Sequence, residues 1–151
     1  EAWTDFDAEA ALELLASAGF SADKVGEVSL AEDEKGEVLG AVLNLTSTEG
    51  YGGNISFSMG ILKDGTVNGI KILSISETAG LGMRATEESF YGQFAGRKVE
   101  NFSYTKTGAT ADDEIDAISG ATITTRAMTN GVNAGLAYFS EGLVKGGVIH
   151  E

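Results

Sequence analysis

Residues 54–75 read NISFSMGILKDGTVNGIKILSI, two β-favouring runs on either side of Lys63-Asp64-Gly65. An Asp-Gly pair between two such runs is a strong local signal for a tight hairpin turn. The stretch therefore predicts an antiparallel hairpin with strands at 54–62 and 66–75.

A second hairpin is predicted on the N-terminal side of the first. From Val25 the apolar residues change to a period of two, and a charged turn at 32–36 divides the run. The apolar positions of the two strands are Val28, Leu30, Val38, Ala41, Val42, Leu43 and Leu45. This periodicity is typical of strands that bury one face.

Helical spacing appears before and after these strands. Thr4–Ala18 is predicted as a helix that ends at Gly19, because Phe6, Ala10 and Leu14 recur every four residues. Thr86–Phe94 is predicted as a short helix with Thr86 as its cap, and Phe90 and Phe94 share one face. An edge strand is expected near Val99, Phe102 and Tyr104.

The longest helix is predicted from Ile123 to Phe139 and is expected to end near Gly142. Gly131 and Gly135 lie one turn apart on it, so that face can approach a strand or a ligand closely. The predicted fold class is α+β, with an antiparallel sheet of two hairpins packed against an N-terminal and a C-terminal helix. A single domain, residues 1–151, is expected.

The composition excludes several functional classes. With 23 acidic and 10 basic side chains in 151 residues, the net charge of −13 repels nucleic acid and anionic lipid surfaces. There is no cysteine and His150 is the one histidine, so thiolate, serine-triad and metal-ligating chemistry are not expected. No apolar run approaches the roughly 20 residues that span a bilayer, so no membrane insertion by this chain is expected.

The strongest candidate site precedes the long helix, in Asp116-Ala117-Ile118-Ser119-Gly120-Ala121-Thr122. Unpaired backbone N–H groups at a helix N-terminus favour an anion such as phosphate. Hydroxyl donors are available on Ser119, Thr122, Thr124 and Thr125. The alternative is that these small polar residues only cap the helix.

Two glycine-rich loops are weaker candidates. Glu77-Thr78-Ala79-Gly80-Leu81-Gly82 allows an unusual backbone path and close approach to a flat ligand, although it could be a plain loop. Gly50-Tyr51-Gly52-Gly53 is typical of a turn or bulge in which Tyr51 covers the edge of the core. The acidic run at 112–114 lacks the ligand spacing of a calcium loop.

In this order, the three segments resemble the FMN-binding domain family of the Rnf and Nqr respiratory complexes, particularly RnfG and NqrC. The resemblance covers roughly residues 50–139. It implies that a flavin transferase recognises Asp116, Ser119, Gly120 and Ala121 and joins FMN through its phosphate to the Thr122 hydroxyl. Thr124 and Thr125 are expected to add donors near the phosphate.

The same resemblance implies that the second loop lies along the flavin. The residues expected there are Glu77, Thr78, Gly80, Leu81, Gly82 and Met83. Leu81 is expected to pack on the ring while backbone amides bind its polar edge. The family usually carries proline where this chain has Ala79, and Rnf members often carry histidine where it has Ile75.

The resemblance implies an electron carrier at the extracytoplasmic face of a bacterial membrane, normally held by an upstream helix. Its partners would be other subunits of a redox complex that couples ferredoxin and NAD chemistry to ion transport. No catalytic residue is expected, since the cofactor carries the redox chemistry, and the resemblance implies an electron-carrying subunit of a membrane oxidoreductase rather than an enzyme by itself. Two alternatives remain: a stand-alone flavinylated domain for extracellular electron transfer or a surface reductase, and a non-redox binding module.

Overall fold

The computed structural model describes residues 8–20 and 23–145. The main elements, in chain order, are α1 (Ala8–Ser17), β1 (Asp23–Glu32), β2 (Val38–Ser47), β3 (Ile55–Leu62), β4 (Val67–Ser74), α2 (Glu88–Tyr91), β5 (Ser103–Thr105), β6 (Glu114–Asp116) and α3 (Thr122–Tyr138). Short 3₁₀ turns at Gly82–Thr86 and Gly92–Phe94 flank α2, and a π-helix at Phe139–Val144 extends α3.

The first four strands form one antiparallel sheet in the order β1-β2-β3-β4. Both predicted hairpins are confirmed, and β2 pairs with β3 to join them into a meander. The side chains of Ile55, Phe57, Met59 and Ile61 alternate along β3 and are all buried. The sheet therefore has one apolar face, as the period of two predicts.

Helices α1 and α3 pack on the sheet and on each other, which confirms the α+β class. A Cβ at Gly135 would lie 2.8 Å from Leu45 Cδ1 and 2.8 Å from Met59 Cε, so the backbone of α3 comes closer to the sheet than a side chain would permit. The close approach predicted for this helix face is confirmed.

The prediction of one helix at Thr86–Phe94 was wrong. The segment divides into two 3₁₀ turns and the four-residue α2, and the Thr86 hydroxyl donates to the Met83 carbonyl at 2.8 Å instead of capping a helix. Buried aromatic rings fix the conformation of this segment, so it does not form one regular helix. Phe94 packs edge-to-face against Phe90 at 5.9 Å and against Phe102 at 5.0 Å between ring centroids.

The region after it also differs from the prediction. Strand β5 does not join the edge of the main sheet; it pairs in parallel with β6 in a separate two-stranded sheet. Asn133 of α3 explains the position of this small sheet, because its side chain accepts from the Phe102 N–H at 2.6 Å and donates to the Phe102 carbonyl at 2.9 Å. A helix side chain thus takes the hydrogen bonds that a neighbouring strand would provide.

The start of the long helix agrees with the prediction, but its end does not. Its start agrees within one residue, but helical turns continue past Gly142 to Val144. The missing side chain at Gly142 leaves room for the ring of Tyr138, whose Cε1 would lie 3.0 Å from a Cβ there. The predicted start of the first helix before Ala8, and His150, lie outside the described residues.

Candidate functional site

An open groove lies between the loop at 78–82 and the N-terminus of α3. Its volume is about 620 Å³, inside the usual range of roughly 300–1,000 Å³ for small-molecule sites. The residues that line it carry no charged side chain: Tyr51, Thr78, Leu81, Gly82, Gly120, Ala121, Thr122, Ile123 and Thr124. The structure thus brings the three segments selected from the sequence to one place.

A tight turn forms one wall of the groove. The Leu81 N–H donates to the Thr78 carbonyl at 3.1 Å, and Gly80 between them has φ of +78°. These features are those of a type II β-turn, which requires a residue with positive φ at its third position. The turn leaves the Leu81 side chain 42% exposed at the groove.

Glu77 holds this turn to the two other segments. Its Oε1 accepts hydrogen bonds from the Tyr51 N–H at 2.8 Å and the Thr124 hydroxyl at 2.6 Å, and its Oε2 accepts from the Gly52 N–H. The side chain is buried. Both carboxylate oxygens are therefore engaged by the protein, so Glu77 positions the walls of the groove and is not itself one of its lining residues.

Glycines make this junction possible. A Cβ at Gly82 would clash with the Thr124 hydroxyl and lie 2.7 Å from Glu77 Cβ, and a Cβ at Gly52 would lie 2.8 Å from Glu77 Oε2. Such separations are shorter than real side-chain contacts allow, and a Cβ at Gly52 would come closer still to the backbone carbonyl oxygen of Ser76. The glycines of both loops thus allow close packing around Glu77 and the backbone that precedes it.

The N-terminus of α3 opens on the groove without a side-chain cap. Ala121 occupies the N-cap position, and within the described part of the chain no acceptor bonds the backbone N–H groups of Thr122, Ile123 or Thr124. Four N–H groups at the start of a helix lack intrahelical partners, and they favour an anion. The interpretation of this segment as a simple capping motif does not account for these free donors.

The threonine hydroxyls of α3 divide into two kinds. Thr124 donates to Glu77, Thr125 donates to the Ala121 carbonyl at 2.9 Å, and Thr129 donates to the Thr125 carbonyl at 2.8 Å. Thr122, half-buried at the groove, has no hydrogen-bond partner for its hydroxyl among residues 8–20 and 23–145. Thr122 is thus the threonine of this helix whose oxygen is available.

The bend before α3 is held from inside the helix. The Thr125 hydroxyl also accepts from the Ile118 N–H at 3.0 Å, and Gly120 adopts φ of +74°. Thr125 is fully buried by these contacts. These contacts give Thr125 a supporting role, because it shapes the bend that presents Gly120 and Ala121 to the groove; a role as a donor near the ligand stays a prediction.

Asp116 and Ser119 lie on a neighbouring groove of about 230 Å³, which Arg84 and Gln93 also line. The Gln93 side chain accepts from the Asp116 N–H at 2.6 Å and donates to the Asp116 carbonyl at 3.1 Å. The Asp116 carboxylate accepts from the Ala109 N–H at 2.7 Å. The structure thus separates these two motif residues from the groove that Thr122 lines.

Some residues at the site differ from the sequence interpretation. Tyr51 is 71% exposed and lines the groove, although the sequence suggested that it covers the core edge. Ile123 is 46% exposed beside it and lines the groove, whereas the sequence pattern predicted it only as the start of the long helix. Met83 is half-buried outside the groove lining, where its N–H donates to the Thr78 carbonyl at 3.0 Å. Gln93 carried no sequence signal.

The groove suits a ligand with a flat apolar part and an anionic end. Tyr51, Leu81 and Ile123 offer exposed apolar surface, and the start of α3 offers unpaired N–H groups and one free hydroxyl. Within the described ranges no group of three or more histidine or acidic side chains could hold a metal ion. In the same ranges no helix has the length and apolar character to cross a bilayer.

Comparisons with known proteins agree with this chemistry. A family model described as "FMN-binding domain" matches residues 50–137. The chain is 37% identical over 106 residues to the G subunit of the Na⁺-translocating ferredoxin:NAD⁺ oxidoreductase complex of Acetobacterium woodii, which covers 69% of this chain and 51% of that protein. It is 36% identical over 115 residues to the G subunit of the proton-translocating ferredoxin:NAD⁺ oxidoreductase complex of Clostridium ljungdahlii. That match covers 74% of this chain and 62% of the relative.

The chain thus spans between half and two thirds of the length of these two relatives. Among solved structures, NqrC of Shewanella oneidensis shares the fold with a TM-score of 0.62 at 20% identity, over 76% of this chain and 57% of that one. The C subunit of the Na⁺-translocating NADH-quinone reductase of Parabacteroides distasonis gives a TM-score of 0.61 at 21% identity, over 91% and 70%.

Proposed function

The chain belongs to the FMN-binding domain family, and from that premise we propose that it holds FMN as a phosphoester of Thr122 and carries electrons in an Rnf-type membrane complex. The observation that carries the proposal is the free Thr122 hydroxyl at an uncapped helix N-terminus. The hydroxyl of Thr124, the other threonine of α3 that lines the groove, is already bonded to Glu77.

The residues of the groove fit the two ends of FMN. Unpaired N–H groups at the start of α3 would stabilise the negative charge of the phosphoester next to Thr122. Leu81, Tyr51 and Ile123 would pack against the isoalloxazine ring, while backbone groups of Thr78 and Gly82, which line the groove, would be available to its polar edge. Gly120 and Ala121 leave room for the phosphate because they carry little or no side chain.

When bound, FMN supplies reversible one- and two-electron redox chemistry, which no side chain of this groove provides. The protein would contribute orientation, partial exclusion of water and a fixed attachment point. Attachment would place phosphorus on the Thr122 oxygen in exchange for the hydroxyl proton, with a flavin dinucleotide as donor and a nucleoside monophosphate as leaving group. A separate transferase would carry out this exchange and read Asp116 and Ser119 on the adjacent surface.

The proposed partners are other subunits of a membrane redox complex. The relatives named above are subunits of ion-translocating ferredoxin:NAD⁺ oxidoreductases. We propose that this chain joins the same kind of assembly and lies at the extracytoplasmic face of the membrane. A net charge of −13 favours docking on basic surfaces of partner subunits. The open groove would leave the flavin edge accessible for transfer.

Intact mass after denaturing chromatography tests the attachment. The domain is coexpressed with an active flavin transferase, with T122V as the matched variant. The expected result is a gain of roughly 440 Da with yellow colour in the wild type only, because a covalent adduct survives denaturation.

No gain in mass, with the transferase active on another substrate, would refute covalent attachment. A flavin titration of the same protein then separates noncovalent FMN binding from a binding module without redox function. Retention of the adduct by T122V would instead place the linkage on another hydroxyl.

A further inference from the structure

Arg126 lies on the same face of α3 as Thr122, one turn further along the helix. Residues four apart are neighbours on a helix surface, and side chains lean toward the helix N-terminus. The Arg126 side chain is exposed. The guanidinium points to the Tyr104 hydroxyl and Arg126 does not line the groove, but a long side chain at this position has the length to turn toward the first turn of α3.

The guanidinium of Arg126 is largely unused by the protein. Its Nε lies 3.5 Å from the Tyr104 hydroxyl, a long hydrogen bond, and it forms no ion pair with any carboxylate in the described residues. The nearby Glu49 accepts from the Asn130 side chain at 3.2 Å. Most N–H donors of the planar Arg126 guanidinium, a group whose geometry suits phosphate, are thus available to a ligand.

The two other arginines of the chain are engaged. Arg97 donates from Nη1 to the backbone carbonyls of Asp112 and Glu114. Arg84 forms an ion pair with Glu87, with 3.7 Å between Nε and Oε2. Arg126 is therefore the arginine that combines free donors with a place next to the attachment residue.

We propose that Arg126 recognises the phosphate of the flavin and makes the groove select FMN over riboflavin. This inference rests on the proposed function and adds a specificity residue outside the motif that precedes α3. The groove lining itself is uncharged, so Arg126 would provide the positive side chain opposite the phosphate. Tyr104 would orient the guanidinium from the other side.

The test compares two ligands that differ only in the phosphate. Apo protein made without transferase is titrated with FMN and with riboflavin, and flavin fluorescence reports binding to wild type, R126Q, R126K and the control R84Q. R126Q is expected to bind FMN roughly tenfold to a hundredfold more weakly, with riboflavin affinity unchanged within about twofold. R126K is expected to fall between them because it keeps the charge and loses the fork.

R84Q should retain the wild-type preference, since Arg84 faces the other groove. If R126Q keeps the wild-type ratio of FMN to riboflavin affinity while both proteins bind flavin, the inference is wrong and the proposed function stands. If the wild type shows no preference for FMN over riboflavin, or binds neither, the inference is wrong; a covalent adduct formed by the transferase in the same protein would leave the proposed function standing, and its absence would refute both.

Discussion

Thr124 and Glu77 join two segments that are 47 residues apart, through a hydrogen bond of 2.6 Å from the Thr124 hydroxyl to Glu77 Oε1. The same carboxylate holds the backbone of Tyr51 and Gly52, so two loops and the first turn of α3 meet at one buried side chain. A buried carboxylate that accepts several hydrogen bonds fixes its donors, because leaving any of them unpaired is costly. The groove thus has a preformed shape.

Glu77→Gln is expected to loosen this junction. Glutamine keeps one acceptor oxygen but turns an amide NH₂ toward a backbone N–H, so at least one buried donor loses its partner. The free energy of unfolding should fall by about 1–3 kcal/mol, measured by urea denaturation. Glu87→Gln is the control, because Glu87 is exposed and its ion pair with Arg84 should contribute little. Equal effects in the two variants would show that the network does not stabilise the domain.

Gly82→Ala is expected to distort the groove. The added Cβ would meet the Thr124 hydroxyl and lie 2.7 Å from Glu77 Cβ, at a cost of about 1–3 kcal/mol. Thermal unfolding and FMN titration should both show a loss. Gly69→Ala is the matched variant, since no atom lies within 4 Å of a Cβ at that strand position. A G82A protein as stable as G69A would contradict the close packing described for Gly82.

Ala79→Pro is expected to stabilise the loop along the groove. Ala79 is the second residue of the type II turn between Thr78 and Leu81, a position that favours proline. Restricting the unfolded chain should raise the free energy of unfolding by about 0.4–1 kcal/mol. Gly80→Ala should act in the opposite direction, because Gly80 has φ of +78°. Destabilisation by A79P would show that the turn backbone is not compatible with proline.

Asp23→Asn is expected to remove a pH dependence of stability. Asp23 is 1% exposed, and neither carboxylate oxygen has a hydrogen-bond partner among the described residues. Burial, and then the negative charge of Glu49, raise the pKa of Asp23 from 3.8 to about 7, against a smaller lowering by the nearby Ser47 side chain, which lies outside good hydrogen-bond geometry. Between these values the folded state holds a proton that the unfolded state has released.

The stability that Asp23 contributes is therefore fully present below pH 3.8 and is lost as the pH rises toward 7. In this window the unfolding equilibrium constant should rise by up to about tenfold per pH unit from this group. Urea denaturation from pH 4 to pH 8 should show the slope in wild type and in the exposed control D112N, and not in D23N. If the stability of D23N falls with pH as steeply as that of the wild type, the pH dependence comes from other titratable groups.

Local patterns predicted the elements that local energetics determine. The Asp-Gly turn and the alternation around it were sufficient for the β3–β4 hairpin, because turn type and register are set within a few residues. Helix α3 followed from its apolar stripe in the same way. The division of the predicted Thr86–Phe94 helix into short turns was missed because its conformation depends on where Phe90 and Phe94 pack, and Phe94 packs on Phe102, which lies outside the segment.

The sequence by itself determined the α+β class, the acidic surface and the order of the three segments that identify the family. Only the tertiary structure decided which residues of these segments hold the groove together. The Glu77 carboxylate binds Tyr51, Gly52 and Thr124. The Thr125 hydroxyl stabilises the bend at Gly120. The sequence does not distinguish one threonine hydroxyl from another. Whether a hydroxyl is free to bind a ligand depends on the acceptors that folding brings near it. Thr122 is left unpaired because it is the first residue of α3 and no acceptor in the described chain reaches it.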